Sequence, residues 1–494
     1  MSEKRIVIPA GTPNDDNREY LPLAIKGSDM VVNENGNNSQ PYPARLEECT
    51  GDIVGDGEPD RWYVYVPESY DPSKKTPLVL SMHGGLMTGW GQAIYTSWTL
   101  VADREGFICV FPDAHSRMFW TVEHDPKLID EMSKPNPSGL YLNRPPEKIE
   151  DNRDVQFVLA LIKLMESKYN IDEGRIYMQG MSMGNLFTHQ FVRYFGNMLA
   201  GAAGAGGPTN PVLLYDEDGK MRNRAGNVDF WQSCPELNGG AKGATLSEFE
   251  VIRINLEYLN TINEVSGLPQ ISVKGESNFA FYTGKKADTV LLDIKNRDHG
   301  QTLDDAEIVW DYFFSGSRRE ADGTITHTKP IIERKGDDIS IAIAKDCSKA
   351  WLNGKPVELT GPTILWQKLK YHGLDGGEKV RGEYLCVPLS FVAEVCGAKY
   401  EKSADTLSAT LTLPDGSTCS FSRGSIGCVY NNRVEAMLCE ALHRHGELFI
   451  PFEWFAGRVM NLHFSECNDV LYATDHWNVL STNLANLFKL ILLA

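Results

Sequence analysis

Gly180-Met181-Ser182-Met183-Gly184 places a serine between two glycines at the spacing of a sharp strand-to-helix turn. The pattern predicts a strand at Arg175 to Gln179 before it and an apolar helix at Leu186 to Phe195 after it. In such a turn, side chains two residues either side of the serine would collide with the neighbouring elements, and glycine removes the collision. The serine Oγ then stands at a helix N-terminus, where a developing anion is stabilised. The chemistry is nucleophilic acyl transfer, which also needs a base, an acid behind the base, and two backbone donors for the oxyanion.

The donors are expected at Met183, next to the serine, and at Gly85 or Leu86, where His83-Gly84-Gly85-Leu86 closes an apolar run. The His83 ring is read as a prop for this loop. The chain order serine, acid, histidine points to His299 as the base, between a predicted strand (Thr289 to Lys295) and a predicted helix (Leu303 to Phe314). His189 shares the nucleophile's helix and points away, and histidines from His327 onward fall in other segments. Glu236, after Val228 to Cys234, is the expected acid; Asp216 and Asp218 are alternatives, whereas Asp298 and Asp304 lie too near His299. Trp90, Trp120 and Trp231, with Met118 and Phe119 in an insertion from His115 to Asn152, are candidates for substrate stacking; burial in a core is their other reading.

These residues need a sheet to hold them. Arg61 to Pro67, Thr76 to Met82 and Phe107 to Phe111 read as short strands, and Asp154 to Lys168 carries apolar residues at helical spacing. Strands alternating with helices mean an α/β sheet that is mostly parallel. The expected layout is an N-terminal arm at 1–50, a catalytic domain at 51–318, a linker at 319–334, a β-rich α+β accessory domain at 335–480, and an apolar C-terminal helix at 481–494. Inside the accessory region, Val387-Pro388-Leu389-Ser390-Phe391-Val392-Ala393 is echoed 63 residues later by Ile450-Pro451-Phe452-Glu453-Trp454-Phe455-Ala456, which predicts a two-fold module.

The catalytic motifs, namely Gly-Met-Ser-Met-Gly after Arg-Ile-Tyr-Met-Gln, the Asp154-Val155 helix, the His83-Gly84-Gly85 loop and Asp298-His299-Gly300, resemble those of the polyhydroxybutyrate depolymerase and feruloyl esterase family of α/β-hydrolases. The resemblance spans residues 60 to 315. It implies an α/β-hydrolase sheet with flanking helices and a serine esterase without metal or organic cofactor. The implied substrates are hydroxyalkanoate polyesters, or hydroxycinnamoyl and acetyl groups on plant polysaccharide. Where family members often carry an Asp as the acid, this chain reads Ser233-Cys234-Pro235-Glu236. Residues 335 to 480 are similar to the copper amine oxidase N-terminal-like module, an accessory domain, and His443, His445 and His463 lack a supporting ligand cluster for copper.

Composition limits the partners. Of the 494 residues, 48 are Lys or Arg and 66 Asp or Glu, a net charge of −18 that disfavours phosphate backbones and anionic lipid. Sixteen basic and 19 acidic residues follow position 330, so −15 of the −18 lies before it. Such a field disfavours polyanionic substrates and suits neutral polymers or small esters. Ten cysteines form no CxxC pair, which argues against a zinc or thioredoxin-like site. The start, MSEKRIVIPAGTP, has no apolar run of signal-peptide type, so the chain as written is not marked for export; a removed leader would make it secreted or surface-bound. The tail LANLFKLILLA is too short to span a bilayer and is expected to dock on the chain or on a second copy as a homo-oligomer contact. A prolyl-oligopeptidase-type peptidase and a binding protein with a relic site are the competing functions.

Overall fold

The computed structural model describes residues 43–136, 141–216, 218–237, 246–372 and 377–494. The strand-like patch expected at Lys4 to Pro9 lies outside them. Two compact units emerge: one runs to Gly267 and adds Tyr282–Leu292 and Asn296–Arg334, the other comprises Leu268–Phe281, Asp293–Lys295 and Lys335–Ala494.

The first unit is built on β1 (Leu46–Gly51), β2 (Asp60–Tyr65), β3 (Thr76–Met82), α1 (Gly89–Tyr95), α2 (Trp98–Glu105), β4 (Ile108–Pro112), α3 (Pro126–Met132), α4 (Arg153–Lys168), β5 (Ile171–Met181), α5 (Met183–Phe195), β6 (Gly201–Ala205), β7 (Asp229–Leu237) and α6 (Glu248–Ile262). In chain order a hairpin of β8 (Gln270–Lys274) and β9 (Ser277–Tyr282) follows, which apart from Tyr282 belongs to the second unit, then β10 (Thr289–Asp298) and α7 (Asp305–Tyr312). The sheet order is β1-β2-β4-β3-β5-β6-β7-β10. Strands β4, β3, β5, β6 and β7 run parallel, and β2 pairs antiparallel with β4. This is an α/β-hydrolase sheet with flanking helices. Its central strands are apolar along their whole length, as strands covered on both faces must be: all seven residues of β3 and all five of β4 are buried. Helix α4 buries Val155, Val158, Leu161, Ile162 and Met165, its 3.6-residue stripe, and the Asn152 side chain caps it by accepting from Asp154 and Val155 N–H groups.

Three segments depart from expectation, the first being Leu268–Phe281, expected in the catalytic domain but part of the second unit. Leu46–Gly51, placed in the arm, is an edge strand paired along its length with β2. Only Leu46 of the six is buried and three are exposed, so polar composition suits it as well as it would a loop. The expected linker contains a hairpin, β11 (Ser317–Arg319) and β12 (Ile325–His327), and belongs to the first unit. There His327 Nε2 binds the buried Asp229 carboxylate at 2.8 Å.

In the second unit the doubled sequence pattern has a structural counterpart. Strand Gly377–Pro388 runs into helix Leu389–Cys396, and strand Glu447–Pro451 runs into helix Phe452–Arg458, with Pro388 and Pro451 as N-caps. The two strands pair antiparallel with Val387 opposite Ile450, so a pseudo-two-fold axis passes between those residues. Both copies feed one core that includes Leu385, Val392, Ile450 and Phe455. The C-terminal helix spans Thr482–Leu493, and no described helix is long and apolar enough to cross a membrane.

Candidate active site

Ser182 is the N-cap of α5 and sits at φ 53°, ψ −111°, a region that costs a non-glycine residue about 1–3 kcal/mol. The turn is fixed on both sides. A Cβ on Gly184 would press on the Met82 and His83 carbonyls at the end of β3, and one on Gly180 would press on the Gly184 carbonyl. The Ser182 N–H is tied to Ala205 O at 2.8 Å. His299 Nε2 lies 2.8 Å from Ser182 Oγ, within proton-transfer reach. Gly206, at φ 91°, makes room for this approach: a Cβ there would stand 3.3 Å from His299 Cε1 and 3.0 Å from Ser182 N.

The oxyanion side follows from bond accounting. The Met183 N–H opens α5, where helix geometry supplies no acceptor. His83 is buried and its Nε2 accepts from Ala114 N–H at 2.9 Å, so the proton is on Nδ1, which donates to Gly84 O at 2.7 Å. Burial holds its pKa down to about 4, so the ring stays neutral. Met87 N–H also donates to Gly84 O, at 3.2 Å. In a trans peptide the N–H opposes the C=O, so fixing Gly84 O from one side turns the Gly85 N–H to the other. Leu86, the other expected donor, needs correction: its N–H donates to Met118 O at 2.9 Å and is not left for an oxyanion. Gly85 with Met183 is therefore the pair the geometry offers.

Glu236 is half-buried, and its Oε2 accepts from Asn296 N–H at 3.0 Å, three residues before His299. Asp216 accepts from the N–H groups of Asp218 and Lys220, closing its own turn, and Asp218 is exposed. His189 is buried against Gln232 Oε1 at 2.8 Å, with its pKa lowered to about 4 by burial.

Two of the three stacking candidates are corrected. Trp120 is 0% exposed; its Nε1 donates to His83 O at 2.8 Å and its ring packs on His83 and Phe187. It braces the donor loop from behind. Trp231 is also 0% exposed, donating to Ser233 Oγ at 3.0 Å and packing on Phe313. Only Trp90 of the three presents its ring to solvent.

Sequence reasoning missed a buried relay behind the site. Gln179 Oε1 accepts from Ser81 Oγ and Trp98 Nε1, and its Nε2 donates to Gln301 Oε1 at 2.9 Å. It links β3, β5 and α2 to the loop that carries His299. The signal was a glutamine in the buried, otherwise apolar stretch 176–181 of β5. A second unnoticed group, Asp305, accepts from Ser233 Oγ at 2.8 Å, and full burial pushes its pKa up to about 7. Among the described residues, no three His, Cys, Asp or Glu side chains are grouped to hold a metal ion.

No protein-family model matches the chain. Over 147 residues it is 31% identical to the bifunctional acetylxylan esterase/xylanase XynS20E of Neocallimastix patriciarum, covering 30% of this chain and 18% of that protein. Acetylxylan esterase A of Emericella nidulans is 25% identical over 182 residues, covering 36% of this chain and 51% of the relative. Feruloyl esterase B of Thermothelomyces thermophilus is 25% identical over 168 residues, covering 33% and 49%. The chain thus spans about half or less of the length of these relatives. Among solved structures, an acetyl xylan esterase from Aspergillus awamori aligns at TM-score 0.37 and 13% identity over 53% of this chain and 97% of that one. The CE1 ferulic acid esterase of Anaeromyces mucronatus aligns at TM-score 0.33 and 16% identity over 55% and 94%.

Proposed function

We propose that this chain is a serine carboxylic-ester hydrolase that works through an acyl-enzyme on acetyl or hydroxycinnamoyl esters of plant polysaccharide. The observation that carries the reading is the 2.8 Å approach of His299 Nε2 to Ser182 Oγ at a strained helix N-cap. The partial sequence relationship to acetylxylan and feruloyl esterases supports the substrate class. His299 takes the Ser182 proton as Oγ attacks the ester carbonyl, and the N–H groups of Met183 and Gly85 receive the oxyanion. His299 then protonates the leaving alcohol. Water activated by the same imidazole releases the acid and restores Ser182. Glu236 acts through the histidine loop, fixing the ring's orientation. The second unit serves as an accessory module of the copper amine oxidase N-terminal-like type, read from its doubled strand–proline–helix pattern.

The test is a hydrolysis panel of p-nitrophenyl acetate, methyl ferulate, a hydroxybutyrate oligomer, acetylated xylan and a peptide amide, with Ser182→Ala as control. Acetyl or feruloyl release should exceed the other activities and fall by more than about a thousandfold in the variant. Retention within tenfold by Ser182→Ala refutes the assignment, and faster peptide cleavage moves it to a peptidase.

A further inference from the structure

Beside the donor loop, residues 116 to 119 form a tight turn whose two central residues, Arg117 (φ 55°) and Met118 (φ 58°), are both left-handed. Such turns normally use Asn or Gly, so two long side chains here are held against a backbone cost. The holding is explicit. The buried Asp154 carboxylate accepts from His115 N–H at 2.9 Å and Thr121 N–H at 2.7 Å, clasping both flanks. Asn143 Nδ2 donates to Phe119 O at 2.7 Å. Met118 O accepts the Leu86 N–H, and the Phe119 ring would meet a Cβ on Gly85 at 3.1 Å. The turn is therefore a wall of the candidate active site, and Arg117 is its exposed tip.

Arg117 lines a hollow of about 460 Å³ with Arg144, Arg153 and Asp151, and also borders a neighbouring hollow of about 350 Å³. The larger hollow is lined by three arginines and one acid, and the smaller by Arg61, Asp60 and Asp113 beside Arg117. Two of the arginines are neutralised, Arg153 by Asp56 and Asp60 and Arg144 by Asp130. Arg117 has no carboxylate partner among the described residues. Its guanidinium lies 4.0 Å over the Tyr141 ring and binds the Asn143 side-chain oxygen, which fixes the fork in place without cancelling its charge.

We propose that Arg117 is a specificity-determining residue that receives a carboxylate carried by the ester substrate, either a uronosyl group on the glycan or the free acid of a dicarboxylic half-ester. The inference rests on the esterase reading above and adds an anionic preference to it. It also qualifies the expectation from net charge: the overall field repels polyanions, while one rigid cation beside the donor loop accepts a single anionic group.

The test compares kcat/KM for acidic and neutral esters in two arms. One arm uses acetylated xylo-oligosaccharides with and without a glucuronosyl branch; the other uses p-nitrophenyl hydrogen succinate against p-nitrophenyl butyrate. The acidic-to-neutral ratio should fall about tenfold in Arg117→Gln in one arm, naming the source of the carboxylate, and should be partly restored in Arg117→Lys. It should fall about threefold in Arg144→Gln, which leaves the strained turn untouched, and also in wild type at 0.5 M NaCl. A ratio that moves less than twofold in both arms for Arg117→Gln and Arg144→Gln overturns the proposal. Loss of the esterase reading is a separate result: neutral-ester hydrolysis would be absent, or would survive Ser182→Ala.

Discussion

Adding one methyl group at Gly184 tests whether close packing of α5 on β3 aims the nucleophile. A Cβ there would stand 2.6 Å from the Met82 carbonyl carbon and 2.7 Å from the His83 carbonyl oxygen, and nearer still to the Met82 oxygen. Ordinary contact begins at 3.4 Å, so the start of α5 must retreat by about an ångström. The obstacle is backbone on both counts and cannot rotate away. Overpacking of this kind costs about 1–3 kcal/mol. The retreat also carries Ser182 and the Met183 N–H away from the Gly85 side of the site. An ångström of misplacement at a reacting centre costs about a hundredfold in rate. Gly184→Ala is therefore expected to fold with a lowered thermal midpoint and to lose about two orders of magnitude in kcat on p-nitrophenyl acetate. Gly267→Ala is the control, since nothing lies within 4 Å of a Cβ there. Thermal unfolding followed by circular dichroism, with steady-state kinetics on both variants, decides the matter. If Gly184→Ala keeps kcat within threefold of the parent, the close approach is not what positions the serine.

Two further outcomes follow from the same geometry. Glu236→Gln should lower kcat by about 10²–10⁴, as removal of a triad carboxylate does, while Asp216→Asn, which touches only its own turn, should stay within threefold; reversed results in the same ester assay would reassign the acid. Asp305 gives a pH signature. Its folded pKa of about 7 lies above the unfolded value near 3.9, so between about pH 4 and 7 the folded chain holds a proton that the unfolded chain has released. Stability contributed at this site therefore falls as pH rises through that window and levels off above it. Asp305→Asn removes the slope, so its stability relative to wild type, read from urea unfolding, should improve by about 2–3 kcal/mol from pH 5 to pH 8; parallel shifts at both pH values would contradict the burial argument.

Residues whose role depends on local chain geometry were legible in the sequence. The glycines at 180 and 184 announce a turn that nothing larger fits, and chain order after Ser182 singles out His299 without any structure. Residues whose role depends on which face of an element they occupy were not. Trp120 and Trp231 have the composition of a stacking platform, yet the rings turn inward, because indoles of that size gain more from burial beside His83 and Phe313 than from exposure. Leu86 looked like a donor until the turn around Met118, 32 residues on in the chain, took up its N–H. The Gln179 relay was hidden for a related reason: a polar residue in an apolar strand reads as an interruption, whereas three partners from distant segments satisfy it here. The edge strand Leu46–Gly51 escaped because a strand with exposed side chains carries no apolar signal.

The backbone of Ser182 has a consequence for the endurance of the folded chain. Its left-handed φ is a cost that the molecule bears whether or not substrate is present, and an alanine, which keeps the Cβ, bears it too. Glycine does not. Relief of about 1–3 kcal/mol of strain outweighs the roughly 0.5–1 kcal/mol that glycine's extra freedom lends the unfolded chain. Ser182→Gly should therefore outlast both the parent and Ser182→Ala on heating, while hydrolysing nothing. The difference between the two inactive variants would measure how much durability the molecule gives up to keep its nucleophile exposed.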